Sequence, residues 1–265
     1  MSRYQIINQD FSSEADCVEM ASGTVCWTSE CSPEKETGNE DSILIGQRDD
    51  GAIILAIADG VGGQPGGAGA SHQTLQTLAS EVIESDGEDA TADMINAIDR
   101  ANKAIINRQS GAATTLAAVI IDNRQLRNFH IGDSEILVCG QRGRIRLQTI
   151  PHSPTGYAVE SGMLSEDEAL QHEDRHFVSN LVGSTDMRIE LGSVIRMADF
   201  DTLLLCSDGV TDNLLADEIV ELIRKGPVKQ AANKLLAAVR KKMATDEGKP
   251  DDCSFILYRN RKTGC

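Results

Sequence analysis

An acid planted where a short apolar run ends constrains this chain more than any other feature. It occurs as Ala58-Asp59-Gly60, as Ile131-Gly132-Asp133-Ser134 and as Ser207-Asp208-Gly209. Asn39-Glu40-Asp41 and Asp251-Asp252 each stand immediately before a further apolar run. Runs of this length, rich in Ile, Leu and Val and bounded by turn residues, read as buried strands. Strand borders are rigid, so acids set there can be aimed at one place. Carboxylates crowded in a partly buried site repel one another and protonate unless cations compensate them. Hard dications with oxygen ligands suit such a site, and Mg²⁺ or Mn²⁺ is favoured over Zn²⁺ because no His or Cys accompanies the acids. A single Asp-Gly after a strand is most often only a turn. Several in one chain, each beside a small residue, are harder to explain that way.

The rest of the pattern comes in blocks. Residues 53–58 read as a strand, and 71–84 and 91–108 as helices with apolar residues on one face. Residues 114–122, 125–131, 135–140 and 144–150 read as consecutive antiparallel strands. A helical patch at 165–171 opens with a capping box of Ser165 and Glu168. Then come a strand at 202–206, helices at 212–225 and 228–243, and a last strand at 253–258. Blocks of this kind predict an α+β fold rather than a doubly wound parallel sheet. With 265 residues, 40% of them hydrophobic, the chain is read as a single domain over 1–265, with 1–38 as a polar, irregular N-terminal segment. Only 3% of residues are aromatic, so the core must rest on Ile, Leu, Val and Ala.

Composition excludes some classes. The 41 Asp and Glu against 25 Lys and Arg give a formal charge of −16, a surface that repels nucleic acid. Seven cysteines without C-x-x-C spacing read as reduced thiols of a cytoplasmic protein, with Cys139, Cys206 and Cys253 as core residues. The spacing of Cys17, Cys26 and Cys31 does not fit the common zinc patterns. The N-terminus lacks a signal pattern, and the longest apolar run, 52–58, is far too short to cross a bilayer, so no membrane association is expected.

Taken in order, NEDS (39–42), ADGVGG (58–63), GAATTL (111–116), HIGDS (130–134), SDGVTDNL (207–214) and DDCSFIL (251–257) resemble the signatures of the metal-dependent protein phosphatases of the protein phosphatase 2C type, the single-domain bacterial members most closely. The resemblance implies a central β-sandwich of two antiparallel sheets flanked by antiparallel helix pairs, with a flap over 153–183. It implies a serine/threonine protein phosphatase that hydrolyses phosphoserine and phosphothreonine with a water activated between two divalent metals. The cofactors implied are Mn²⁺ or Mg²⁺, two per site, with a third ion supported by Asp133. Asp59 is implied as the ligand shared by both metals, and Asp208 and Asp251 as completing one site, which makes these three the catalytic set. The Gly60 carbonyl with Glu40 and Asp41 is implied for the other, directly or through water. Thr114, Thr115 and Ser254 are expected to be structural. The partners implied are phosphorylated proteins, substrates of a Ser/Thr kinase.

Three positions depart from the family pattern. Glu36 stands where a phosphate-gripping Arg is usual, leaving Lys35 as the candidate substrate-binding cation. Gln64 stands where bacterial relatives often carry His. His72 and His152 are candidate replacements as leaving-group acid, weighed against plain structural roles. Asp252 stands where Asn is usual. These departures define the alternative, a weakly active or inactive phosphatase-like domain that binds phosphoproteins as a regulator. A haloacid dehalogenase reading fails because Asp59-Gly60-Val61 lacks the second Asp of that motif.

Overall fold

The computed structural model describes residues 3–8, 13–35, 38–61 and 66–261. One antiparallel sheet uses β1 (Tyr4–Ile7), β4 (Ser42–Gln47), β5 (Ile53–Ala58), β8 (Leu116–Asp122), β9 (Gln125–Ile131) and β12 (Glu190–Leu191) in that order, with β13 (Ile195–Arg196) also on β9. The other, also antiparallel, runs β11 (Ile145–Gln148), β10 (Glu135–Cys139), β14 (Thr202–Cys206), β15 (Cys253–Asn260), β3 (Gly23–Glu30), β2 (Asp16–Glu19). A short ribbon pairs β6 (Gly60–Val61) with β7 (Ala113–Thr114). The helices are α1 (Gly66–Leu78), which runs into a π-helical turn at Ala79–Ile83, α2 (Ala90–Asn107), α3 (Pro154–Glu160), α4 (Glu166–Leu170), α5 (Asp208–Thr211), α6 (Ala216–Ile223) and α7 (Val228–Met243).

The two sheets pack face to face, with α1 and α2 on the outer face of the first and α6 and α7 on that of the second. Strand alternation sorts the side chains among three clusters. Ile53, Leu55 and Ile57 meet Leu203, Leu205, Ile256 and Tyr258 between the sheets. Ile54, Ala56 and Ala58 turn outward to α1 and α2. Leu204, Cys206, Phe255 and Leu257 turn outward to α6 and α7. The central strands are therefore buried on both faces, which is why they appear as unbroken apolar runs instead of alternating ones.

The α+β sandwich agrees with expectation, and four details correct it. The described residues of 1–38 are not irregular: they supply β1, β2 and β3, and β3 pairs along its full length with β15. The helix expected at 212–225 is shorter, covering only α6, and a separate helical turn, α5, precedes it; the bend between them is held by Asn213, whose Nδ2 donates to the carbonyls of Gly209 and Lys249 at 2.9 Å. Helix α1 begins earlier than apolar spacing suggested, at Gly66. The cysteines are not all reduced: Cys17 and Cys26 lie opposite each other on β2 and β3 and form a disulfide, with Cα atoms 4.1 Å apart. Cross-strand register, invisible in the spacing, brings them together. This pairing also removes the premise on which a reducing compartment was argued. Cys139, Cys206 and Cys253 are buried free thiols, as expected. No described helix is long and apolar enough to cross a membrane.

Candidate metal centre

The predicted acids arrive at one end of the sandwich from both sheets. Asp59 follows β5, and its backbone is clamped by two threonines. Its N–H donates to Thr115 Oγ1 at 3.0 Å, and its carbonyl accepts from Thr115 N–H at 2.9 Å and Thr114 Oγ1 at 2.7 Å. Thr115 Oγ1 also meets Ser134 Oγ at 2.6 Å, tying the Asp59 strand end to the turn that carries Asp133. That turn needs glycine: Gly132 has φ +100°, and a Cβ there would stand 2.7 Å from the Thr115 side chain. His152 holds the same turn. Its Nδ1 accepts the Gly132 N–H at 3.0 Å and its backbone N–H donates to the Gly132 carbonyl at 2.8 Å.

Asp41 precedes β4. Its N–H donates to Asn39 Oδ1 at 2.9 Å, and its Oδ2 accepts from Ser207 Oγ at 2.8 Å. Asn39 reaches Ser29 Oγ at 2.8 Å, and Ser29 meets Ser254 Oγ at 2.9 Å, so hydroxyls of β3 and β15 anchor the motif. Asp208 opens α5 directly after β14. Gly209 beside it lets that turn press against the Asp252 carbonyl, with which a Cβ would collide. Asp251 precedes β15 and is open to solvent, whereas Asp59, Asp133 and Asp208 are half-buried and Asp41 is buried.

These acids feel one another. The Asp59 and Asp208 carboxyls are both pushed well above the usual carboxylate range, first by burial and then by mutual repulsion: Asp41, Asp208, Asp133 and Asp251 act on Asp59. Asp41 is pushed up to about 7 by burial and by Asp252, against the opposing hydrogen bonds of Ser254 and Ser207. Asp133 is pushed up to about 6, chiefly by burial. Burial raises Asp251 too. Asp41 Oδ1 is buried and has no hydrogen-bond partner among the described residues. An orphaned carboxylate oxygen inside a cluster of mutually repelling acids fits bound dications, and the all-oxygen donor set suits Mg²⁺ or Mn²⁺.

The remaining predicted residues fall into different environments. The Gly60 backbone lies against Glu40 and Gly67: a Cβ on Gly60 would stand 2.9 Å from the Glu40 carbonyl oxygen, and one on Gly67 2.5 Å from Glu40 Oε1. Lys35, the candidate substrate-binding cation, lies between two carboxylates. Its ammonium is spent on Glu40 Oε2 at 2.6 Å and Asp252 Oδ2 at 2.8 Å. Burial works against its charge, but Asp252 and Glu40 outweigh it and raise its pKa. Asp252, buried, also accepts the N–H groups of Ser32 and Glu40 at 2.8 Å. The unusual acid is thus satisfied structurally, by a lysine far away in the chain. His152 is buried and fully engaged. Asn180 Nδ2 adds a second donor to Nδ1 at 2.9 Å, which puts the ring proton on Nε2, facing Glu190 Oε2 at 2.9 Å. Its role is structural. His72 contacts Asn8 at 3.3 Å. Glu36 and Gln64 lie outside the described residues.

Sequence reasoning missed two cations beside the cluster. Arg175 Nε lies 3.0 Å and Lys249 Nζ 3.6 Å from Asp212 Oδ2, and Arg175 lines the same cavity as Asp133 and Asp208. No motif marks them. Only Asp212, inside SDGVTDNL, carried a signal.

Comparison with known proteins identifies the family and the fold. The Protein phosphatase 2C family model matches residues 33–246. A putative protein phosphatase 2C-type protein of Streptococcus pyogenes is 30% identical over 200 residues, covering 72% of this chain and 80% of that one. The serine/threonine protein phosphatase PstP of Mycobacterium tuberculosis is 29% identical over 226 residues, which are 83% of this chain but only 41% of that protein's length. A crystal structure of PstP superposes with a TM-score of 0.78 at 25% identity, covering 91% of this chain and 100% of the solved one. The PstP catalytic domain has also been solved in complex with 2 manganese ions, and matches with a TM-score of 0.76 at 24% identity.

Proposed function

Because this chain belongs to the protein phosphatase 2C family, we propose that it is a metal-dependent serine/threonine protein phosphatase acting on phosphorylated proteins. The observation that carries this reading is the convergence of Asp41, Asp59, Asp133, Asp208 and Asp251, acids distant in sequence, whose charges repel one another in one cleft. We read Asp59, Asp208 and Asp251 as the core ligands, with Glu40, Asp41, the Gly60 carbonyl and Asp133 completing the set, and Mn²⁺ or Mg²⁺ as the ions. Bound there, such ions supply charge neutralisation and activation of water for in-line attack on phosphorus.

The chain's own groups do the positioning. Thr114 and Thr115 fix the Asp59 strand end, and Ser207 orients Asp41. Lys35 holds Glu40 and Asp252 in place, so it acts on the centre and not on the substrate. Arg175 and Lys249, both paired with Asp212, add positive charge beside the centre. The 153–183 segment, which carries Arg175, serves as a flap, and 1–265 works as one catalytic unit.

Phosphothreonine-peptide hydrolysis tests the proposal directly. Turnover is expected only with added Mn²⁺ or Mg²⁺, with loss under a chelator. Asp59→Asn is expected to lower it at least about 100-fold while circular dichroism stays native. Hydrolysis undiminished by the chelator would sink the reading.

A further inference from the structure

We propose that a cavity between the 153–175 segment and α6 is a substrate subsite for the side chain of a lysine or arginine that neighbours the phosphoresidue; this rests on the phosphatase reading above. The cavity measures about 260 Å³ and is lined by Asp133 and Asp208 at one end, so it opens directly onto the acid cluster. Both walls carry apolar side chains among polar ones: Pro151, Val159 and Leu170 on one side, Leu214, Leu215 and Ile219 on the other.

Its charge is one-sided. Glu135 lines it from β10, and Glu160 and Glu166 line it from the exposed ends of α3 and α4. The cation lining it, Arg175, is already bound to Asp212. Glu135 is the unusual member. It alternates along β10 with Leu137 and Cys139, which pack toward α6 and α7, so its side chain emerges on the helix-covered face. It is 6% exposed, and its Oε1 is buried without a hydrogen-bond partner among the described residues. A carboxylate oxygen left bare in such a cavity is costly to the free protein and is repaired by a ligand that brings a donor.

Lysine and arginine side chains fit both halves of this surface. The aliphatic stem lies on the apolar side chains of the walls, and the charged head meets Glu135. An acidic side chain at the same position is repelled by Glu160 and Glu166, so the subsite discriminates by rejection as well as by attraction.

The test separates the subsite from the chemistry. Phosphonate analogues of a phosphothreonine peptide, with lysine, arginine, norleucine or glutamate at each flanking position in turn, are titrated into the Mn²⁺-loaded full chain by fluorescence anisotropy. Hydrolysis of p-nitrophenyl phosphate is measured in parallel. At one flanking position, lysine or arginine is expected to bind about tenfold or more tightly than norleucine, with glutamate weakest. Glu135→Gln is expected to bring that ratio to within about twofold, and the exposed Glu166→Lys to reduce it in part. If no position favours a cation, or the ratio survives in both variants, the subsite is wrong whatever happens to p-nitrophenyl phosphate. A cation preference without any hydrolysis upholds the subsite and overturns the phosphatase reading.

Discussion

Asp41 and Asp133 show how single residues couple this centre to the stability of the fold. Their carboxyls are pushed up to about 7 and about 6 in the folded, metal-free chain, chiefly by burial. At intermediate pH the fold therefore keeps them protonated while the unfolded chain ionises them. Groups shifted in this direction support the folded state fully below the ordinary carboxylate range. That support disappears as pH climbs through about 6 to 7. In the presence of a chelator, the melting temperature is expected to fall between about pH 5 and about pH 8, with Mn²⁺ restoring more at the upper end. Calorimetry checks this, and a metal-free melting temperature that rises over the same interval contradicts it. The acids themselves were legible in the sequence because each stands beside an apolar run and a small residue. The pairing of Lys35 was not legible because its partner Asp252 lies at the opposite end of the chain. Glu135 was not singled out at all, since a lone acid opening an apolar strand looks like a strand border.

At the scale of elements, legibility followed burial on two faces. β5, β14 and β15 are continuous apolar runs because helices cover them outside and the other sheet covers them inside. β3 escaped notice because half of it is hydroxylic or charged: Thr24, Thr28, Ser29 and Glu30 interrupt Val25, Cys26 and Trp27. Ser29 is part of the hydrogen-bond chain that holds Asn39, so its polarity serves the site. β2 is an edge strand with little buried surface, and the disulfide fastens it to β3. Removing that link frees a short loop, with Cys17 and Cys26 only 9 positions apart. Cys17→Ser is expected to cost about 2.5 kcal/mol of stability under oxidising conditions, and nothing relative to wild type once both are reduced. Paired urea titrations with and without a reductant measure it. An equal loss in both conditions would assign the effect to packing instead.

At the scale of the whole molecule, the proposed ligands divide between the sheets. Asp41 and Asp59 belong to the sheet of β4 and β5, Asp208 and Asp251 to that of β14 and β15, and Asp133 to the turn joining β9 with β10. Loading Mn²⁺ is therefore expected to slow amide hydrogen exchange in both sheets near these ends, beyond the residues that touch the ions. Protection confined to one sheet would contradict a shared centre. A formal charge of −16 sharpens the same point, since an excess of acid on the surface makes the compact state self-repelling without bound cations.

The hydrogen-bond chain from Ser254 through Ser29 to Asn39 crosses the same seam without any ion. It works as a basting stitch, keeping the two halves aligned while the centre is empty. A chain stripped of its cations should reload without refolding, and dilution or competition for trace metal would then empty the centre reversibly rather than unfold the chain.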